Sequence, residues 1–169
     1  MLEHTRKKTN IPEPPPDPPA AAGPPAAFQW LTSRIGEERE RRRRETEIQD
    51  RLPEALHELH EVLSRCVDTY RDAFGRDAAE ISFLASRIRV TVAEGKPNKA
   101  GATPALQVEV VIDVKVPGFT VRHGSDSLEI RVDIFSGGKP SYRDGDQYLN
   151  MEDLTRRILD PVFFPKLGE

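Results

Sequence analysis

Apolar residues fall on every second position from Leu106 to Val116, with Leu106, Val108, Val110, Ile112, Val114 and Val116 separated by Gln107, Glu109, Val111, Asp113 and Lys115. This period of two belongs to a strand with one buried and one wet face. The same alternation places Ile88, Val90 and Val92 inward against Arg87, Arg89 and Thr91. Downstream it places Leu128, Ile130, Val132 and Ile134 inward against Glu129, Arg131 and Asp133. The pattern predicts an antiparallel meander whose outer face sets Arg and Lys beside Glu and Asp, where each opposed pair adds roughly 0.2–1 kcal/mol to the register. The link EGKPNKAGATP between the first two strands reads as a mobile loop. The link PGFTVRHGSD, with Phe119 and Val121, reads as a strand extension or a short edge ribbon. SGGKPSYRDGD reads as turns with a brief fourth strand near Tyr142.

Upstream the period changes to that of a helix. Asp50 is a good N-cap, and Pro53 falls in a first turn, where its missing N–H costs no bond. From there Leu52, Leu56, Leu59, Leu63, Cys66, Tyr70 and Ala73 recur at alternating spacings of four and three, a heptad seam that by itself indicates a coiled coil. Val62 and Val67 widen the stripe beyond such a seam and favour a helix laid across a sheet. Gly75 is the expected left-handed C-cap. A second helix is predicted from Met151, with Asn150 as cap, Asp153 as the capping-box acid and Leu149 as a staple onto Leu154. Pro161 is expected to end it. Together these elements predict an α+β fold of two layers: a three- to four-stranded antiparallel meander packed on a long N-terminal helix and a short C-terminal one.

Before Asp50 the chain loses its core pattern. Phe28, Leu31 and Ile35 occupy one face of a short helix that also carries Trp30; Gly36 interrupts it, and EERERRRRETEIQD has no apolar stripe. Eight of the fifteen prolines lie between Pro12 and Pro25. A segment so poor in large apolar residues cannot offset its ordering entropy, so residues 1–27 read as a disordered, proline-rich tail. The expected organisation is tail 1–27, helical arm 28–49 and α+β domain 50–169. A net charge of −3 offers no global attraction to nucleic acid or anionic lipid. The single cysteine excludes an internal disulfide and favours a reducing compartment. With no secretory signal and no apolar run of membrane length, a soluble cytoplasmic chain is expected.

Candidate chemistry changes this picture little. His57 and His60 in HELHE lie at i, i+3 and lack the i, i+4 spacing and third ligand of a zinc helix, so two exposed helix residues are the simpler reading. Arg39, Arg41, Arg42, Arg43 and Arg44 could contact nucleic acid or an acidic partner. From Arg34 to Arg51, however, seven arginines face six acids, which suits a self-paired solvated helix. Pro12, Pro15 and Pro18 satisfy PxxP spacing, but any run so rich in proline contains it by chance and a spacer explains the composition better. Cys66 lies on the inward seam and reads as a small buried hydrophobe, not a nucleophile. Asp144 and Asp146 suit a turn better than a calcium loop.

No nucleophile, base and orienting group can be assigned, so the expected function is non-enzymatic, without metal or cofactor. Phe28, Trp30, Leu31 and Ile35 either fold back on the domain or dock on a partner; in the second case the chain reads as an adaptor or assembly protein that binds a protein partner through them and self-associates through its seam. Membrane is not among the expected partners. The alternatives are a nucleic-acid accessory protein using the arginines, and a ligand or enzyme pocket near Tyr70, His123 and Tyr142.

Overall fold

The computed structural model describes residues 28–93 and 105–166. In chain order these form α1 (Gln29–Phe74), β1 (Ala79–Leu84), β2 (Arg87–Ala93), β3 (Ala105–Asp113), β4 (Gly118–His123), β5 (Asp126–Ile134), β6 (Pro140–Asp144), β7 (Gln147–Leu149) and α2 (Met151–Phe163). Every strand pairs antiparallel with its neighbour in sequence, giving one sheet in the order β1 to β7. The α+β class and the antiparallel meander agree with the hydrophobic pattern. The number of strands does not: seven replace the expected three or four.

The additional strands are those whose pattern is short. In β4 only Phe119, Val121 and His123 point inward, yet Phe119 and Val121 are buried at the middle of the sheet, opposite Ile112 and Val110. Gly118 permits this strand to start where it does, because a Cβ there would lie 2.1 Å from the Ile130 carbonyl oxygen. β6 contributes only Tyr142, and β7 only Leu149, to the apolar core, Ser141 being the other buried residue of β6. β3 in turn ends at Asp113, earlier than the alternation indicates. The Asp113 carboxylate accepts the Lys115 N–H at 2.8 Å and the Thr120 hydroxyl at 3.1 Å. That closes a turn and leaves Val114 exposed.

One apolar layer unites the domain. Leu52, Leu56, Leu59, Leu63 and Val67 of α1 and Leu154, Ile158, Leu159 and Val162 of α2 join the inward residues of the sheet in a single core. Each such large aliphatic side chain contributes about 1.5–3 kcal/mol on burial. Arg157 fastens α2 to the β6–β7 turn through Asp144 and through Gln147 at 2.8 Å. The Asn150 side chain caps α2 by accepting the Asp153 N–H at 2.7 Å, as its sequence foretells.

The helices differ from their expected limits. α1 is one element of 46 residues, so neither Gly36 nor Asp50 marks a boundary, and Pro53 lies in its interior. Its buried stripe runs Leu52, Leu56, Leu59, Leu63, Val67, while Cys66 and Tyr70 are half-buried and Ala73 is exposed. A straight helix of 3.6 residues per turn drifts away from a strict heptad, which is the stripe that packing on a sheet requires and a coiled coil does not. Gly75, at φ +108°, supplies the C-cap, its N–H bonding to the Arg71 carbonyl at 2.7 Å. α2 continues through Pro161 to Phe163, because the buried Val162 holds the last turn in place. The proline-rich tail of residues 1–27 and the link of residues 94–104 lie outside the described residues.

Candidate protein-binding surface

Phe28 immediately precedes α1, and Trp30, Leu31 and Ile35 lie in its first two turns. Their exposures are 55% for Phe28, 67% for Trp30, 40% for Leu31 and 43% for Ile35. Helical geometry gathers Phe28, Leu31 and Ile35 on one face. Local contacts hold these turns together: the Thr32 hydroxyl donates to the Phe28 carbonyl at 3.2 Å, and Arg34 pairs with Glu37 at 2.9 Å. Residues 28–39 and residues 40–166 belong to two separate compact units.

The arginine run is exposed and largely engaged within its own helix. Arg43 and Arg44 both donate to Glu40, at 2.9 Å and 3.3 Å, and Arg41 pairs with Glu45. Hydrogen bonds from Arg43 and then Arg44 hold the Glu40 carboxyl below its ordinary range, while the bond to Glu40 raises Arg43. Pairs at i, i+3 and i, i+4 lie on the same helix face and support an exposed helix. They also explain how a stretch with no apolar stripe stays helical.

The remaining candidates each have an occupation of their own. His60 stacks on Phe83 with ring centroids 4.7 Å apart, and His57 pairs with Glu61 at 3.6 Å. Among the described residues no group of three or more His, Cys, Asp or Glu side chains could hold a metal ion. Burial pushes the half-buried Cys66 thiol up, opposite to the shift that would generate a thiolate. Tyr70 stacks on Phe163 at 4.3 Å, and His123 Nε2 lies 2.9 Å from the Ile158 carbonyl. Tyr142 is buried; desolvation, with a smaller contribution from Glu58, pushes it up to about 12. Its hydroxyl has no hydrogen-bond partner among the described residues. Gly145, at φ +57°, turns the chain between Asp144 and Asp146, and these acids hold Arg157 and Arg143.

One exposed feature has no counterpart in the sequence reading. β1 is an edge strand, and its last two residues, Phe83 and Leu84, are exposed large hydrophobics. The signal was the apolar pair in ISFL ahead of a two-residue turn, too short to display a period. No described helix is long and apolar enough to cross a membrane. The chain matches no family model, no curated protein and no solved structure.

Proposed function

We propose that this protein is a non-enzymatic adaptor or assembly component that binds a protein partner through the helical stretch 28–35. The observation that carries the reading is the joint exposure of Phe28, Trp30, Leu31 and Ile35 on consecutive turns of one helix. Anchors at i, i+3 and i+7 are the pattern by which an amphipathic helix enters an apolar groove on another protein, and tryptophan is enriched at such hot spots. Nucleic-acid binding through Arg39 to Arg44 has less support, since Glu40 and Glu45 already take up Arg43, Arg44 and Arg41.

Trp30 is the only tryptophan of the chain, which makes the proposed site its own reporter. In the free protein its fluorescence is expected to be that of a water-exposed indole, open to iodide quenching. A partner captured by the full chain is expected to shift that emission to the blue and to protect it from iodide. Trp30→Ala combined with Leu31→Ser is expected to abolish capture while leaving the thermal melt unchanged. Retention of the same partner by that double variant would refute the assignment.

A further inference from the structure

We infer that the open edge of β1 is a self-association site, at which a second copy of this chain adds its own β1 antiparallel across a two-fold axis. This surface is distinct from the helical stretch 28–35 and does not depend on it.

The two edges of the sheet differ in how they are guarded. β7 has three residues and leads through Asn150 directly into α2, so little edge is presented. β1 has six residues, AEISFL, with a single charge and neither proline nor lysine. Natural edge strands are normally blunted by such residues, by bulges or by shortness, and an edge lacking them is a template for another strand.

The hydrogen-bond phase of β1 shows which groups are on offer. The Ala93 N–H bonds to the Ala78 carbonyl at 2.9 Å, so the main chain of Ala78 faces β2. Antiparallel alternation then turns Glu80, Ser82 and Leu84 toward β2, and Ala79, Ile81 and Phe83 toward the open side. Of these outward groups, the Ala79 carbonyl already accepts from Arg71 Nε at 2.6 Å. Among the described residues the N–H and C=O of Ile81 and Phe83 have no partner, which leaves them for a second strand.

The partner is identified by register. Continuity of the sheet requires that inward residues meet inward residues, and with Ile81 on the two-fold axis this condition is met. Ile81 faces Ile81 of the second copy, and Phe83 faces the small Ala79 of the second copy. Three hydrogen-bonded positions then supply up to six main-chain bonds: four join free groups, and in the other two the Phe83 N–H shares the Ala79 carbonyl that Arg71 already holds, a carbonyl oxygen having two lone pairs. On the wet face, the exposed Leu84 covers Ala78 of the second copy. Glu80, which forms no ion pair among the described residues, enters the row that holds Ser82 and Arg89 of the second copy. Two strand spacings, about 10 Å, separate that Glu80 from Arg89, a gap two long side chains can close. Arg89 engages Glu109 at 2.7 Å, and the five donors of its guanidinium allow it to hold a second carboxylate.

Sedimentation velocity of the full chain over a hundredfold dilution series tests the inference, with amide exchange at Ile81 and Phe83 read in parallel. A dimer that dissociates on dilution is expected, its Ile81 and Phe83 amides protected only while it is associated. Phe83→Pro deletes an outward N–H without touching the ladder to β2, and Leu84→Lys places a charge at the edge. Each is expected to raise the dissociation constant at least tenfold. Circular dichroism and the melting temperature control for folding, and Leu84→Lys decides alone if the proline variant does not fold. Trp30→Ala is expected to leave the dimer intact. A chain that stays monomeric throughout, or that accepts only a foreign strand, overturns the inference. So does a dimer indifferent to both edge substitutions.

Discussion

Two stretches of α1 contain the same kinds of apolar residue and use them oppositely. From Leu52 to Val67, Leu52, Ala55, Leu56, Leu59, Leu63 and Val67 are all buried. From Gln29 to Ile35, Trp30, Leu31 and Ile35 are all exposed. Helix propensity does not separate them, since both stretches are helical. What differs is the source of stability: apolar cover in the first case, and backbone bonds with ion pairs such as Arg34–Glu37 in the second. An apolar side chain in the buried stretch is therefore already used, whereas one in the exposed stretch remains available to a partner.

Truncating one leucine in each stretch tests this division with the largest effect. Leu59 is fully buried in the core, so Leu59→Ala is expected to cost about 2–5 kcal/mol through lost transfer energy and the cavity left behind. Leu31→Ala is expected to change stability by less than about 0.5 kcal/mol, as surface substitutions do. Urea unfolding of both variants, with unchanged slopes, measures the contrast. Comparable losses from the two would show that Leu31 has a folding role and would remove the physical ground for the proposed binding stretch.

The same contrast explains what the sequence disclosed. Long alternation exposed β2, β3 and β5, because three or more inward residues define a period, and the caps at Gly75 and Asn150 depend on chemistry local to a few residues. β4 stayed ambiguous because Phe119, Val121 and His123 are flanked by Pro117 and Gly124, which resemble loop punctuation. β1 and β6 show little of a period, for their inward faces carry Ala79 and Pro140 among larger residues. Gly36 looked like a break because propensity is a local quantity, whereas a helix once propagating tolerates one glycine. The apolar cluster at Phe28, Trp30, Leu31 and Ile35 was legible as a group; its exposure was not, since burial is decided by what other segments supply.

Gly36 offers a second, smaller way to sharpen the comparison. It lies inside α1, and a Cβ there would meet none of the described residues within 4 Å. Gly36→Ala is expected to favour the helix locally by about 1 kcal/mol, because alanine has less backbone entropy to lose. Far-ultraviolet circular dichroism should show a modest gain in helicity, with the cooperative unfolding of the domain unaltered. A matching rise in the denaturant midpoint would couple residues 28–39 energetically to the domain and blur the distinction between the two stretches.

The smallest effect concerns acid. In the buried stretch His60 is partly covered beside Phe83, and burial, followed by repulsion from His57, lowers its pKa, while Glu61 opposes the shift. Because the folded value lies below the unfolded one, the unfolded chain binds more protons as pH falls past the unfolded value, and folding loses free energy there. The loss grows until the folded pKa is passed and then levels off. Stability is thus expected to decline as pH falls below about 6.5. The decline should be slight, since His60 retains solvent contact. His60→Asn should flatten that part of the melting-temperature profile, and Arg34→Gln, in the exposed stretch, should leave it untouched. Equal slopes with and without His60 would assign the acid response to other groups and leave the two halves of α1 indistinguishable by pH.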